Sequence, residues 1–281
     1  MLTPFEAVII GTIQGITEWF PISSKAMTTL VMIQFFGKSL SEALSFAIWT
    51  HIGTFLASII YFREELMKII KRLPVYFSAT ALSGRLGKKT GIKTEENEED
   101  SIISFLIIAT FMTGIIGAPI MLFATEKIQI SGEAAMVAIG IFLIFTGILQ
   151  RISAGAKNIK KLPNTKDAFI VGLGQGFASI PGISRSGTTI GLLLFRKFDS
   201  EKALRYSYLM SIPAIFGVEI VLQIKHLVTV DFSSILAVVI SFIVGLLTIN
   251  ALLKVARNVD FSNLCIILGL MTALFGFTQF S

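Results

Sequence analysis

Long apolar stretches dominate this chain, and polar residues interrupt them at a few fixed places. Spanning a hydrocarbon core takes about 20 consecutive apolar residues. Six stretches meet that length: roughly 41–62, 101–124, 133–152, 201–224, 233–253 and 262–280. Residues 5–36 and 166–197 do not; each reads as a short helix, a polar turn (Glu18 to Lys25; Ser179 to Ser186) and a second short helix. Such a pair enters and leaves from one face. Non-helical backbone at membrane depth is tolerated only where it is buried in protein or lines a wet cavity. The pattern therefore predicts an all-α polytopic membrane protein, with six transmembrane helices plus two re-entrant helical hairpins whose polar turns meet inside the bundle.

The hairpins are copies of one another. Laying residues 6–28 on 167–189 at a constant offset of 161 gives eight identities in 23 positions: Ala7, Ile9, Gly11, Gln14, Gly15, Ile22, Ser23 and Thr28. A hairpin returns to its starting face and three spans separate the two, so the second copy must enter from the opposite side. Repeat one (1–152, with hairpin 5–36) and repeat two (166–281, with hairpin 166–197) are thus expected to form an inverted pair within a single membrane domain, 1–281.

Composition agrees with a lipid environment: 53% of the 281 residues are hydrophobic, the mean hydropathy is +0.78, and 15% are charged, against about 25% in ordinary soluble proteins. Residues 1–24 contain no Lys or Arg, and Glu6, Gln14 and Glu18 break their apolar run. They are expected to be mature structure rather than a signal peptide. The single cysteine, Cys265, excludes disulfides within the chain and cysteine metal clusters, and reads as packing.

Charge orients the chain. With the N-terminus on one face, that face carries Lys38, Lys127 and Lys225, three basic residues, while the opposite face carries 19 and the hairpin turns hold Lys25 and Arg185. The basic face is cytoplasmic by the positive-inside rule, which puts both termini and the mouth of the first hairpin outside, in the cell membrane. The net charge of +6 then needs no nucleic acid partner. In the cytoplasmic segment 63–100, residues 63–77 place Leu66, Ile69, Ile70 and Leu73 at helical spacing among Arg63, Lys68, Lys71 and Arg72, as in a helix lying on anionic lipid. Residues 78–100 read as a solvated loop.

Chemistry should reside in the ionisable and hydroxyl groups at depth, because a charge in the bilayer interior is costly unless it faces a partner or water. The first turn supplies Glu18, Ser23, Ser24 and Lys25, with Gln14 one helical turn before Glu18 on the same face; the second supplies Ser184, Arg185, Ser186, Thr188 and Thr189 among Gly182 and Gly187. Glycine-rich turns feeding short helices expose backbone N–H groups and aim positive helix ends at whatever lies between them. The planar guanidinium of Arg185 matches phosphate oxygens. The pocket reads as an oxyanion site, and Glu18 is placed either to hold a divalent cation or to accept a proton from Ser23 or Ser24. His51, ten residues into a span, is either a satisfied interior histidine or part of the pocket lining. Glu219 reads as packing or lipid contact, and Trp19 and Trp49 as candidates for a lipid groove.

Gln14-Gly-Ile-Thr-Glu18-Trp-Phe-Pro21-Ile-Ser23-Ser24 and Pro181-Gly182-Ile-Ser184-Arg185-Ser186-Gly187-Thr188-Thr189 resemble the two signature segments of the undecaprenyl-diphosphate phosphatase family, the bacitracin-resistance type of integral-membrane lipid phosphatase. The stretch from Trp49 through His51, Gly53 and Thr54 to Ala57, followed by Tyr61-Phe62-Arg63, is similar to the family's first full span. The resemblance covers the whole chain. It implies hydrolysis of the terminal phosphate from undecaprenyl or a related polyprenyl diphosphate, recycling a lipid carrier for cell-envelope synthesis. It also implies dependence on Mg2+ or Ca2+, a site open to the outer face and Ser24 rather than Ser23 as nucleophile, and it leaves a homodimer open. Two positions depart from the family pattern: Gln14 stands where a glutamate is usual, and Met27 where members often carry a histidine. The competing reading is a lipid-phosphate transporter or flippase, since inverted repeats with broken helices also build alternating-access carriers.

Overall fold

The computed structural model describes residues 2–86, 98–127, 132–153, 162–180, 182–224 and 230–278. Pro181, Lys225, the connection 154–161, the C-terminal Ser281 and residues 87–97 of the expected loop lie outside that set. Twelve helices form the regular structure of the described residues: α1 (Pro4–Thr17), α2 (Ser24–Phe36), α3 (Leu40–Trp49), α4 (His51–Tyr61), α5 (Arg63–Leu86), α6 (Glu98–Lys127), α7 (Gly132–Ser153), α8 (Thr165–Phe177), α9 (Arg185–Phe195), α10 (Ser200–Ile224), α11 (Phe232–Asn258) and α12 (Ser262–Thr278).

The helices of the two expected hairpins, α1 with α2 and α8 with α9, are 14, 13, 13 and 11 residues long. At 1.5 Å per residue none exceeds about 21 Å, short of a hydrocarbon core of about 30 Å. α1 and α8 start in the same way: Thr3 and Glu6 form a capping box at one, Asn164 and Asp167 at the other, each pair satisfying two otherwise orphaned backbone donors. Those residues are related by the offset of 161, although the amino acids differ.

Helices occupy all six expected spans. Among the described residues, four stretches are long and apolar enough to cross a membrane: Leu40–Tyr61, formed by α3 and α4 in series, Glu98–Met121, Glu133–Ser153 and Phe232–Ala256. α10 has the length, 25 residues, but carries Glu201, Lys202, Arg205, Pro213 and Glu219; α12 is apolar but has 17 residues.

Small residues set how closely these helices pack. A Cβ added to Gly11 of α1 would lie 2.5 Å from the Ala237 carbonyl oxygen of α11, and one added to Gly172 of α8 would lie 2.6 Å from the Ala109 carbonyl oxygen of α6. These two glycines are again 161 residues apart. α7 and α12 meet reciprocally: a Cβ on Gly140 would lie 2.5 Å from the Gly269 carbonyl oxygen, and one on Gly269 would lie 2.6 Å from that of Gly140. Such backbone-to-backbone approach is how helices associate where lipid tails are as apolar as leucine.

Three expectations change. The segment 78–100 is not simply a loop, because α5 continues to Leu86 and α6 begins at Glu98. Nor does α5 offer its whole apolar face to lipid: Ile69 is buried, Leu66 and Leu73 pack on the main core, and Arg72 clasps Asp100 of α6 with Nε–Oδ1 at 2.9 Å and Nη2–Oδ2 at 2.7 Å. Met67, Ile70, Val75 and Phe77 are the large apolar residues it exposes among those described. Trp19 and Trp49 are likewise interior; Trp19 packs on Tyr208, and Trp49 donates its indole N–H to the Ser234 carbonyl at 3.1 Å.

Gly140→Val should destabilise the protein by about 1–3 kcal/mol, because backbone on the facing helix cannot yield to the added carbons. Thermal unfolding in detergent checks this, with Gly114→Ala as the control; a Cβ at Gly114 meets nothing within 4 Å and alanine favours the helix, so its midpoint should not fall.

Candidate functional site

The turn between α1 and α2 is held open by an unusual backbone. Ser23 adopts φ 67°, ψ 81°, a left-handed conformation that non-glycine residues rarely take without a functional reason. Its hydroxyl accepts from the Ala26 N–H and so caps α2, while its own N–H donates to the Ser184 hydroxyl at 3.1 Å. Ser184 in turn caps α9 by accepting from the Gly187 N–H at 3.1 Å. Counterparts in the two copies thus touch, and the positive ends of α2 and α9 come together.

Between them lies Glu18, only 5% exposed. Its Oε2 accepts from the Ser24 hydroxyl at 2.6 Å and from Gln14 Nε2 at 3.0 Å, and stands 3.3 Å from His51 Nε2. Its Oε1 accepts from Arg185 Nη2. Lys25 does not pair with Glu18; its ammonium donates to the carbonyls of Ala178 and Ser179, each at 3.2 Å, at the C-terminal end of α8. The Arg185 guanidinium sits 5.8 Å from the centre of the Tyr208 ring, and Tyr208 donates to the Trp19 carbonyl at 2.8 Å. Arg185 Nη1 is buried with no partner among the described residues, leaving a donor unsatisfied.

These groups open on one cavity of about 300 Å3, lined at its polar end by Glu18, Ser23, Ser24, Lys25, His51, Ser184, Arg185 and Ser186. That is the lower end of the range for small-molecule sites, room for a phosphate-rich headgroup and a short length of chain. Other expected residues support it from outside. Gln14 is fully buried behind Glu18 and also donates to Thr54 Oγ1 at 3.3 Å. Thr189 bonds Ser207 at 2.6 Å, and the Thr188 hydroxyl is buried away from the cavity without a partner among the described residues. Gly182, at φ 97°, lies so close to α7 that a Cβ would sit 2.8 Å from the Ile139 Cα. Met27 does not line the cavity.

The same geometry bears on a divalent cation. Both Glu18 oxygens are already engaged by side-chain donors, one of them a guanidinium, and the described residues contain no group of three His, Cys, Asp or Glu able to hold a metal. Ca2+ needs six to eight oxygen ligands and Mg2+ a near-octahedral set. The residues present do not fit a resident cation at Glu18.

One residue escaped sequence reasoning. Glu219 on α10 does not face lipid; it lines the α6–α10 wall of the cavity, 8% exposed, and neither carboxyl oxygen has a partner among the described residues. The signal was available, since the rule that singled out Glu18, an ionisable group within an apolar span, applies to Glu219 equally.

A helical bundle with several membrane-length apolar helices, enclosing a buried serine–carboxylate–guanidinium cluster, has the architecture of an integral membrane protein. Comparison with known proteins sharpens this. The family model described as bacitracin resistance protein BacA matches residues 7–271. A protein of Methanococcoides burtonii named undecaprenyl-diphosphatase is 46% identical over 274 residues, covering 98% of both chains. One of the same name from Methanopyrus kandleri is 37% identical, covering 94% of this chain and 93% of the relative; a third, from Methanothrix thermoacetophila, is 35% identical over 95% and 94%. The chain belongs to the BacA family.

An unpartnered buried polar group costs about 1–3 kcal/mol of stability, so Glu219→Leu should raise the melting midpoint in detergent. A lower midpoint would show that the carboxyl has a structural partner.

Proposed function

We propose that the chain hydrolyses the terminal phosphoanhydride of undecaprenyl diphosphate or a related polyprenyl diphosphate, giving the monophosphate and inorganic phosphate. This recycles a carrier lipid of cell-envelope synthesis and confers resistance to bacitracin. The relatives' shared name and the family match support the reaction. The observation that carries it to particular residues is the Ser24 hydroxyl bonded at 2.6 Å to Glu18, with the unpartnered Nη1 of Arg185 beside them.

In this reading Ser24, the first residue of α2, attacks the terminal phosphorus; the geometry favours it over Ser23, whose hydroxyl is occupied in capping the helix. Glu18 orients the hydroxyl. Arg185 Nη1, the Lys25 ammonium and the N-terminal ends of α2 and α9 take the charge that collects on the phosphoryl oxygens, which is most of what phosphoryl transfer asks of a protein. Ser184 and Ser186 line the same pole of the cavity, with Gln14, Gly182, Thr188 and Thr189 holding its walls. Any Mg2+ or Ca2+ requirement is then met by the substrate's own counter-ions. A carrier or flippase would need the arginine and the helix ends but not a nucleophile aligned on a carboxylate.

Around the site we place six spans and two re-entrant hairpins, α1–α2 and α8–α9, in inverted repeats. Both termini lie outside and the cavity opens to the outer face. The repeated caps and glycines at the offset of 161, and the asymmetry of basic residues, support this arrangement.

Purified protein in detergent should release phosphate from a polyprenyl diphosphate, and Ser24→Ala should abolish release while retaining lipid binding. Near-normal turnover by Ser24→Ala would reject the serine mechanism. Arg185→Lys keeps the charge but loses the planar fork, and should forfeit about 2–4 kcal/mol of transition-state stabilisation, measured as a fall in kcat/KM. For orientation, a cysteine at Lys68 should react with an impermeant thiol reagent only in opened membranes, and one at Phe277 in intact cells. The reverse pattern would overturn the topology.

A further inference from the structure

Resting on the hydrolase reading, we infer that His51, contributed by α4 and not by either hairpin, is the imidazole of the site and takes the proton that Ser24 releases when it attacks phosphorus. His51 is the first residue of α4, and α3 runs into it through Thr50. Its Nδ1 lies 2.7 Å from the Ala47 carbonyl oxygen of α3. A carbonyl can only accept, so Nδ1 carries a hydrogen and the neutral ring presents its lone pair at Nε2. That nitrogen points into the cavity, 3.5 Å from Ser24 Oγ and 3.3 Å from Glu18 Oε2.

Glu18 is the nearer carboxylate, yet it is poorly placed to keep a proton. Gln14 and Ser24 already donate to Oε2, and Arg185 donates to Oε1. Among the groups around Ser24, His51 Nε2 is the acceptor that lacks a donor when the ring is neutral. The 3.5 Å separation closes by a small rotation of the serine hydroxyl, and such contacts are commonly long before substrate tightens them. The charged groups facing the ring are Glu18 just after α1, Lys25 of α2 and Arg185 of α9; Glu18, the nearest, holds the imidazolium once it forms.

The steps balance. The Ser24 Oγ–P bond forms as the bond from phosphorus to the bridging oxygen breaks; polyprenyl monophosphate departs, and the hydroxyl proton moves to Nε2 and leaves with the monophosphate or to solvent. Water then attacks the phosphoserine. His51 takes one proton of that water and returns it to Ser24 Oγ as inorganic phosphate is released, restoring the starting state.

His51→Gln keeps a polar side chain of similar reach but cannot hold the proton. It should lower kcat by about 10²–10⁴-fold with little change in KM, and it should remove the limb of the pH–kcat profile that rises as the ring becomes neutral. His51→Ala should be partly rescued by added imidazole, which the vacated space can admit, and not by added acetate. Binding of a non-hydrolysable methylene-bridged prenyl diphosphonate should be unchanged in both variants, which tests folding separately from chemistry. If Ser24→Ala is dead while folded His51→Gln keeps wild-type kcat and the same pH limb, His51 is only a wall residue and the inference fails while the hydrolase reading stands. If His51→Gln does not fold, absence of imidazole rescue in His51→Ala that still binds the diphosphonate overturns it. A wild type that releases no phosphate removes the reading and this inference together.

Discussion

The contact between Glu18 and Arg185 is the constraint on which the rest of the interior depends. Neither group can sit alone among apolar helices, because an unpaired buried charge costs several kcal/mol and breaking a buried pair typically costs about 3–5 kcal/mol. The two residues are 167 positions apart and belong to different helical pairs, so their bond fixes the turn after α1 against the start of α9. Every other polar group of the site is arranged around that bond. Gln14 and Ser24 satisfy the remaining carboxylate oxygen, Ser184 receives the N–H of Ser23, and the Tyr208 ring lies beside the guanidinium.

A repeated scaffold carries an unrepeated chemistry. At the offset of 161, Ser23 and Ser184 cap their helices alike, Gly11 and Gly172 admit close neighbours alike, and the capping boxes of α1 and α8 coincide. The next position divides: the first residue of α2 is Ser24 and the first residue of α9 is Arg185. Equivalent backbone positions therefore bring a hydroxyl and a guanidinium to the same carboxylate. The counterparts of Glu18 and Lys25 are Ser179 and Ser186, neither of them charged. Symmetry places two helix N-termini at one point, and three departures from symmetry supply the serine hydroxyl, the carboxylate and the cations.

Much of this was legible because the signals were local or internally repeated. The polar turns stand out against apolar flanks, and the second copy repeats Gln14, Gly15 and Ser23, so both halves of the pocket could be picked out before any fold was known. Which of the two readings of His51, interior packing or pocket lining, would hold was not legible, because nothing within α4 says which neighbour its ring meets; that is settled by how α4 packs against α11 and α1, a long-range outcome. Glu219 was passed over since an isolated glutamate among apolar residues carries no spacing pattern. α5 was misread because Leu66, Ile69 and Leu73 form an apolar stripe that serves lipid or protein equally, and only the Arg72–Asp100 clasp and the neighbouring core decide between them.

The size of the cavity constrains how a long lipid could use it. A volume of about 300 Å3 accommodates a headgroup and the first part of a chain, so in the proposed reaction most of a polyprenyl tail would remain in the bilayer while its diphosphate reached Ser24. The wall between α6 and α10 suits that demand, since Gly114, Ala118, Ala214 and Gly217 line it, and a Cβ added at Gly114 or Gly217 would meet nothing within 4 Å. Close helix packing elsewhere, as at Gly140 against Gly269, excludes any such passage. Small residues thus serve opposite ends in one molecule, sealing α7 against α12 and opening α6 from α10. The difference lies in whether backbone from a facing helix fills the space that a side chain would have taken.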